Sequence, residues 1–141
     1  MVASIDNMRK IFIQCNKKYF DGKLPVPGFE LAHTFKICAN FSYCYGASGN
    51  DFSDPIIKFS DYYDFPEKVF VDVMCHEMVH YYLAYCGIDR KVEHGKDFRK
   101  MANSLNKKYR LHIAVEYDRS LMQRSANAPF LKYWLYNLFN Y

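Results

Sequence analysis

The chain has 141 residues, of which 50% are hydrophobic and 24% charged, the length and composition of one ordinary globular domain. No run of about 18 apolar residues occurs, which excludes a membrane-spanning helix, and the polar residues 1–10 predict no secretory signal peptide. Five cysteines at irregular spacings argue against a secreted disulfide framework and favour a reducing, cytoplasmic location.

The net charge of +4 is unevenly distributed. Residues 1–89 hold 8 Lys/Arg against 11 Asp/Glu, whereas residues 90–141 hold 11 against 4. A basic half of this kind favours either a nucleic-acid surface or simply a solvated helix surface.

The first elements are a helix and a strand. Apolar residues recur at spacings of three and four over residues 4–20, and this pattern, with Ser4 as N-cap, predicts an amphipathic helix. Strict alternation over residues 29–37 predicts a half-buried strand. His33 lies on the apolar face of this strand and is expected to be a hydrogen-bonded core histidine.

Two further strands are predicted before the next helix. Residues 40–47 predict a second strand, paired with the first as a hairpin. Residues 55–60 predict a third, and Pro55 favours a strand start or a sheet edge for it, because proline cannot donate to a ladder.

A strong helix is predicted to follow and to run to about Cys86. Asp64 and Glu67 have the spacing of a capping box, and Pro66 suits a first helical turn. Gly87 is a natural stop for this helix, because glycine adopts the left-handed conformation that commonly ends one.

The rest of the chain predicts a helix over 95–109, a short strand over 112–117 and an aromatic helix over 128–141. One stripe of the last helix, which we interpret as core or an oligomer contact, contains Phe130, Trp134, Leu138 and Tyr141. The order of elements, without repeats or linkers, predicts an α+β fold in one continuous domain, residues 1–141.

The segment His76-Glu77-Met78-Val79-His80 lies within the strong helix. Two histidines four residues apart project from one helix face, so both imidazoles can bind one metal ion. Neutral imidazoles leave Zn²⁺ a strong Lewis acid that lowers the pKa of water towards 7. Glu77 lies about 100° round the helix, where it can act as a general base without being a ligand. This is the pattern of zinc peptidases; the alternative is a helix with two exposed histidines.

A third metal ligand must come from another segment. Of the remaining histidines, His94 is favoured because it lies fourteen residues after His80, at the entrance of the next helix. Gly95 beside it permits a close backbone approach. Three protein ligands leave one position open for water, which is the catalytic arrangement. The sequence leaves the position of His112 open: its side chain lies either near the metal site or exposed to solvent.

Several other residues have more than one interpretation. Tyr109, His112 and Tyr117 are candidate donors to a transition-state oxyanion. Glu93 and Asp97 could hydrogen-bond a ligand histidine, although Asp97 could equally cap the helix. Three cysteines are expected to pack as small hydrophobes: Cys38, Cys44 and Cys75.

The motif resembles the SprT-like zinc metalloprotease domain. The family pattern joins a helix with paired histidines, here residues 76–80, to a third histidine that is followed by glycine and, three residues after the glycine, by phenylalanine. In this chain those residues are His94, Gly95 and Phe98. Residues 16–25 also look like the family's first helix and turn.

The strand 56–60 likewise resembles the family's strand before the active-site helix, and the whole resemblance covers about residues 5–118. It implies a minimal gluzincin-like zincin, in which a small three- to four-stranded sheet packs on helices and Zn²⁺ is the cofactor. Its ligands would be His76, His80 and His94, with Glu77 as the base. The strand 56–60 would pair with an extended substrate peptide.

The resemblance also implies substrates that are proteins crosslinked to DNA, and activation by DNA. Many family members carry a C-terminal zinc ribbon, but this chain has no cysteine after Cys86. Nucleic-acid contact would then come from the basic half, whose candidates are Lys96, Arg99, Lys100, Lys107, Lys108 and Arg110.

Three functions follow from these features. The first is a zinc endopeptidase acting on protein or peptide substrates, including DNA-associated proteins. The second is a zinc-stabilised nucleic-acid-binding module without proteolytic activity. The third is an interaction protein that docks a partner through residues 128–141. Glu77 favours the first, because a structural metal site has no use for a general base.

Overall fold

The computed structural model describes residues 1–45, 52–88, 93–119 and 122–140. The fold is α+β, as predicted, with helices and a small mixed sheet. Its elements are, in order, α1 (Ile5–Tyr19), β1 (Gly28–Ala32), β2 (Ala39–Tyr45), β3 (Phe52–Ser60), β4 (Tyr63–Asp64), α2 (Glu67–Tyr85), α3 (Lys96–Tyr109), β5 (Gln123–Arg124) and α4 (Phe130–Asn140). In the described ranges no helix is long and apolar enough to cross a membrane.

Helix α1 begins as its sequence predicts. The Asn7 N–H donates to Ser4 Oγ (3.1 Å), and the Ser4 N–H donates to Asn7 Oδ1 (2.8 Å). This reciprocal capping box satisfies two N–H groups that the helix itself leaves unpaired. The residues at spacings of three and four, Met8, Phe12 and Cys15, are buried, so the predicted amphipathic helix is confirmed.

The ends of α2 agree with the sequence only in part. Pro66 is the N-cap and no side chain caps the helix, so the predicted capping box of Asp64 and Glu67 is wrong. The carboxylate of Asp64, which lies in β4, instead accepts from the amino group of Met1 at 2.6 Å. Gly87 has φ +68° just after the helix, which confirms the predicted stop.

The three-stranded sheet has the order β1-β3-β2, with β1 parallel and β2 antiparallel to β3. The predicted hairpin of the first two strands is therefore wrong, because β3 lies between them. Pro55 sits in this central strand at a point where both ladders are interrupted. Pairing with β1 starts only at Ile56, and the register with β2 shifts between Ser42 and Cys44, so the missing N–H of proline costs no ladder bond.

Strands β1 and β2 are the two edges of the sheet, and β3 has a neighbour on each side. Residues 56–60 are paired with β1 and, over much of their length, with β2, so they cannot also receive a substrate strand. The implied pairing of substrate with 56–60 is wrong for this reason. Residues 46 and 47 of the predicted second strand lie outside the described residues.

The predicted strand 29–37 is shortened, because β1 ends at Ala32. A turn follows in which the Lys36 N–H donates to Thr34 Oγ1 at 3.1 Å. His33, just after the strand, has a side chain that is 66% exposed, with Nδ1 2.8 Å from Asp61 Oδ1. The expectation of a core position for His33 is wrong, whereas its hydrogen bonding is confirmed.

No strand forms at residues 112–117 in the described part of the chain. The backbone there is held by side chains: the N–H of His112 donates to Asp72 Oδ1 (2.9 Å) and that of Ile113 to Asn106 Oδ1 (2.8 Å). The alternation that predicted a strand reflects the burial of Leu111 and Ile113 in a segment without a neighbouring strand.

Helix α4 exposes the stripe that we interpreted as core or a contact surface. Phe130, Trp134 and Leu138 are 68%, 51% and 55% exposed, so the core interpretation is wrong for the described part of the stripe; Tyr141 lies outside it. The helix packs through its other face, where Tyr133 and Tyr136 each lie 5.6 Å from the ring of Phe35, between centroids.

Truncating a large side chain in the core between the sheet and α2 should strongly lower the stability of the fold. Phe59 of β3 is fully buried, and its ring lies 4.6 Å from that of Phe70 in α2. We expect Phe59→Ala to lower the free energy of unfolding by about 3–5 kcal/mol, because it leaves a cavity at the sheet–helix contact. Phe139→Ala, at a ring that is 76% exposed, should change it by less than about 0.5 kcal/mol. Denaturant unfolding of the two variants tests this, and equal effects would contradict the observed packing.

Candidate metal centre

Three histidines from two segments converge on one point. His76 and His80 lie one turn apart on α2, and His94 lies immediately before Gly95, the N-cap of α3. The three Nε2 atoms form a triangle in which every side measures 3.2 Å. The structure therefore brings together the three histidines that the sequence singled out, as a group that could hold a metal ion.

The triangle fits zinc. A tetrahedral Zn²⁺ with Zn–N bonds of 2.0–2.1 Å places its nitrogen ligands about 3.3–3.4 Å apart. Burial and the charge of the neighbouring histidines lower the pKa of both His76 and His80 to about 4, so both rings are neutral at pH 7. A neutral imidazole has one unprotonated ring nitrogen, and its lone pair can bind a zinc ion.

The ring of His76 is oriented by a backbone carbonyl. Its Nδ1 lies 2.6 Å from the oxygen of Ala114 and donates to it, which leaves Nε2 unprotonated and free to bind metal. Among the described residues neither Glu93 nor Asp97 forms a hydrogen bond with the ring of one of the three histidines. The ring of His76 is oriented by the Ala114 carbonyl, and not by one of these carboxylates.

The segment that presents Ala114 is fixed by three side chains. Asp72 and Asn106 accept from its backbone N–H groups, and the Tyr117 hydroxyl accepts from Ala114 N–H while donating to the carbonyl of Asp72. The sequence analysis missed Asp72 and Asn106. A signal was available for Asp72, since an acidic residue one turn before His76, on an apolar helix, calls for a buried partner.

Phe98 packs against all three imidazoles. Its ring centroid lies 4.9 Å from those of His76 and His94 and 4.6 Å from that of His80, and the residue is buried. A phenylalanine in the first turn of α3 thus limits the rotation of the three rings, which explains physically why it belongs to the motif.

Glu77 lies beside the histidines at the wall of an open cleft of about 630 Å³. The residue is buried, and this burial, together with the charge of Glu93, raises the pKa of the Glu77 carboxyl to about 8. A cation held by the histidines would act in the opposite direction and favour the carboxylate. The start of β2 also lines the cleft, with Ala39, Asn40 and Phe41.

Of the three candidate oxyanion donors, only Tyr117 lines the cleft. Its ring lies 5.7 Å from that of His76, and burial raises the pKa of its hydroxyl above the ordinary value. Tyr109 instead contacts Tyr19 at 4.9 Å, and the His112 side chain is exposed.

Arg119 also lines the cleft, and the sequence contained no signal for it. Its guanidinium donates to the carbonyls of Phe35 (2.9 Å) and Lys36 (2.7 Å) and to the hydroxyl of Tyr136. It thereby joins α4 to the loop that leads into β2.

The cysteines that were expected to pack as small hydrophobes differ in burial. Cys75 is buried in the core, as expected, and Cys38 is partly buried at the cleft wall. Cys44 is exposed, so its expected packing as a small hydrophobe is wrong.

The α+β fold and a histidine cluster beside a buried carboxyl define a candidate metal-dependent hydrolase. Residues 8–117 match the SprT-like family, and the chain belongs to this family. It is 27% identical over 119 residues to the DNA-dependent metalloproteases SPRTN of Rattus norvegicus and Homo sapiens, covering 82% of this chain and 23% of each relative. With the Danio rerio protein of the same name it shares 28% identity over 116 residues, 79% of this chain and 18% of the relative. The chain thus spans about a fifth of the length of these curated relatives.

Proposed function

We propose that this protein is a zinc-dependent endopeptidase of the minimal zincin type. The observation that carries the proposal is the 3.2 Å triangle of His76, His80 and His94 nitrogens with the Glu77 carboxyl beside it in an open cleft. Membership of the SprT-like family and relatives named as metalloproteases support it. We further propose that residues 1–141 form one domain and that it acts in the cytoplasm, where its five free cysteines would stay reduced.

Different residues of the site would bind the metal, transfer the proton and hold the histidine rings in position. His76, His80 and His94 would hold Zn²⁺, which supplies a Lewis acid that activates water and polarises a carbonyl. Glu77 accepts a proton from water in the cleft and passes it to the leaving amine. The Ala114 carbonyl and the Phe98 ring keep the imidazoles in place, and the Tyr117 ring closes one side of the cleft.

The substrate is proposed to lie along β2. This strand lies at one edge of the sheet, and an edge strand can pair its backbone N–H and C=O groups with an added chain. The same strand lines the cleft to which Glu77 belongs. An extended peptide that adds to this edge would bring its backbone past the histidines. The central strand β3 cannot bind a peptide in this way, because it is paired on both sides.

Arg119 offers a test of this placement. Its bonds to the carbonyls of Phe35 and Lys36 fix the loop just before β2, so Arg119→Gln should loosen the substrate edge. We expect KM for a peptide to rise about 10-fold, equivalent to about 1.4 kcal/mol, with kcat changed less than about two-fold.

The matched control is Arg124→Gln, since Arg124 donates to the carbonyl of Ala128 and does not line the cleft. A fall in kcat with unchanged KM in the Arg119 variant would argue against its action through the substrate edge. Steady-state kinetics of both variants on one peptide give the comparison.

The proposed function is tested by cleavage of a DNA-crosslinked protein, and of the enzyme itself, by zinc-loaded protein. The reaction is run with and without single-stranded DNA, and with Glu77→Gln as control. Cleavage that requires both Glu77 and DNA supports a DNA-dependent peptidase.

The second candidate is a nucleic-acid-binding module, and the exposed cations of α3 favour it, among them Lys100, Lys107 and Lys108. It predicts salt-dependent DNA affinity with zinc bound, no proteolysis in either condition, and no effect of Glu77→Gln.

A further inference from the structure

Helix α4 has two different faces. At about 100° per residue, six apolar side chains occupy one continuous half of the helix, and each of them is between 38% and 76% exposed. We name this half the α4 apolar face; it consists of Phe130, Leu131, Trp134, Leu135, Leu138 and Phe139. Single exposed apolar residues are common on any domain, but a contiguous group of this kind marks a contact surface.

The other half of α4 is already used for packing. The rings of Tyr133 and Tyr136 each lie 5.6 Å from the ring of Phe35, between centroids. The hydroxyl of Tyr136 also accepts a hydrogen bond from Arg119. These contacts determine which half of the helix faces outward, so α4 cannot turn the α4 apolar face inward without losing them.

The α4 apolar face contains no charged side chain. Lys132 is the only charged residue between positions 125 and 141, and its Nζ lies 5.9 Å from the centroid of the buried Tyr62 ring. A two-fold axis brings a surface onto an identical copy of itself, so charges near the centre of that surface meet like charges. An uncharged face avoids this repulsion, and interfaces between identical chains are accordingly more apolar than those of other complexes.

The charges near α4 favour an antiparallel pair of helices. Lys132 lies in the first turn, and Arg124 lies over the ring of Phe130 with its Cζ 5.6 Å from the centroid, whereas residues 133–141 hold no charge. The C-terminal end of a helix is partially negative and stabilises a nearby cation. An antiparallel pair brings the lysine of each copy towards this end of the other helix, whereas a parallel pair would bring the two lysines together.

The exposed area is sufficient for a small dimer interface. Covering an aromatic side chain completely buries about 150–250 Å². Since Phe130, Trp134 and Phe139 are 68%, 51% and 76% exposed, their rings offer about 300–500 Å², and the three leucines add about 100–200 Å². Two copies together would therefore bury about 1,000 Å², the lower limit for a specific interface and more than most accidental contacts bury.

We propose that the α4 apolar face binds a second copy of this chain as an antiparallel helix pair. The two-fold axis passes between Trp134 and Leu135, in the middle of the face, so that Leu131 of one copy lies opposite Leu138 of the other. None of the residues of the face lines the cleft. The proposal therefore does not depend on the metal centre or on the proposed function.

The test measures the oligomeric state by sedimentation velocity from about 1 µM to about 1 mM, the range in which an interface of this size is expected to associate. A repulsive variant carries Leu131→Glu and Leu138→Glu, and a restoring variant carries Leu131→Glu and Leu138→Lys. The control variant carries Ile13→Glu and Val26→Glu, at two apolar residues outside α4 that are 49% and 50% exposed.

We expect the wild-type chain and the control variant to dimerise with the same affinity. The repulsive variant should associate roughly 100-fold more weakly or worse, because it places four carboxylates in one contact. The restoring variant should regain roughly 10-fold or more of this loss, because in an antiparallel pair the glutamate introduced at position 131 faces the lysine introduced at position 138 of the other copy.

Three results would overturn the proposal. The first is a wild-type chain that stays monomeric at the highest concentration, and the second is equal association of the repulsive and control variants. The third is a restoring variant that associates no better than the repulsive one, which would exclude the antiparallel arrangement.

Other occupants of the face are separated by further measurements. If the monomeric wild-type chain cosedimented with vesicles of phosphatidylcholine and phosphatidylserine and the repulsive variant did not, the proposal would be overturned in favour of a membrane surface. Melting temperatures of the variants at low concentration should agree with wild type, because the substituted side chains point away from the core. Glu77→Gln should dimerise like wild type, so failure of this proposal is distinguishable from failure of the proposed function.

Discussion

Replacing Glu77 with glutamine should reduce peptide-bond hydrolysis by roughly 10²–10⁴-fold, the usual contribution of a general base, with the zinc content unchanged. Glutamine has the shape of glutamate but cannot accept the proton of water at neutral pH. The metal should remain, because the converging nitrogens belong to His76, His80 and His94. Single-turnover cleavage of one peptide and metal analysis of the same preparation measure both quantities.

The control for this variant is Glu93→Gln. Glu93 lines the same cleft and its charge raises the pKa of Glu77, so the substitution removes the same charge from the same place. We expect it to keep activity within about 10-fold, a change of at most 1.4 kcal/mol in the barrier. If Glu77→Gln cleaved as fast as wild type, the proposed mechanism would be wrong.

Replacing His94 with alanine should weaken zinc binding by more than roughly 100-fold, which is the upper effect of losing a group that only supports a ligand. Only two of the three nitrogens in the 3.2 Å triangle would remain. Cleavage should be lost as well, because the remaining pair cannot hold the ion at neutral pH against competing chelators. Competition with a chromophoric chelator gives the affinity.

His112→Ala is the matched control for the loss of a histidine. The His112 side chain is exposed, and its structural bond runs from its backbone N–H to Asp72, which alanine retains. Zinc affinity should therefore stay at the wild-type value. Similar losses in the two variants would mean that His94 acts through the stability of the fold and not as a ligand.

Elements whose signals are local were predicted well. The N-cap at Ser4, the buried spacing of α1 and the stop at Gly87 each depend on residues within one or two helical turns. The relative positions of His76, Glu77 and His80 are local too, because all three lie on one helix. Periodicity gave a wrong prediction at 112–117, where alternating burial occurs without a partner strand.

The candidate site was thus outlined by the amino-acid sequence, through the paired histidines, the carboxyl beside them and the choice of His94. The packing of distant segments decided the rest. It set the strand order β1-β3-β2, which places β2 at an edge of the sheet and in the lining of the cleft. It also brought the Ala114 carbonyl to His76, 38 residues away in the sequence, and Arg119 to the cleft. No local pattern encodes these contacts, because hydrogen bonds between distant segments depend on which surfaces meet when the core closes. The contact of Tyr19 with Tyr109 has the same origin, since each tyrosine alone looks like an ordinary helix end.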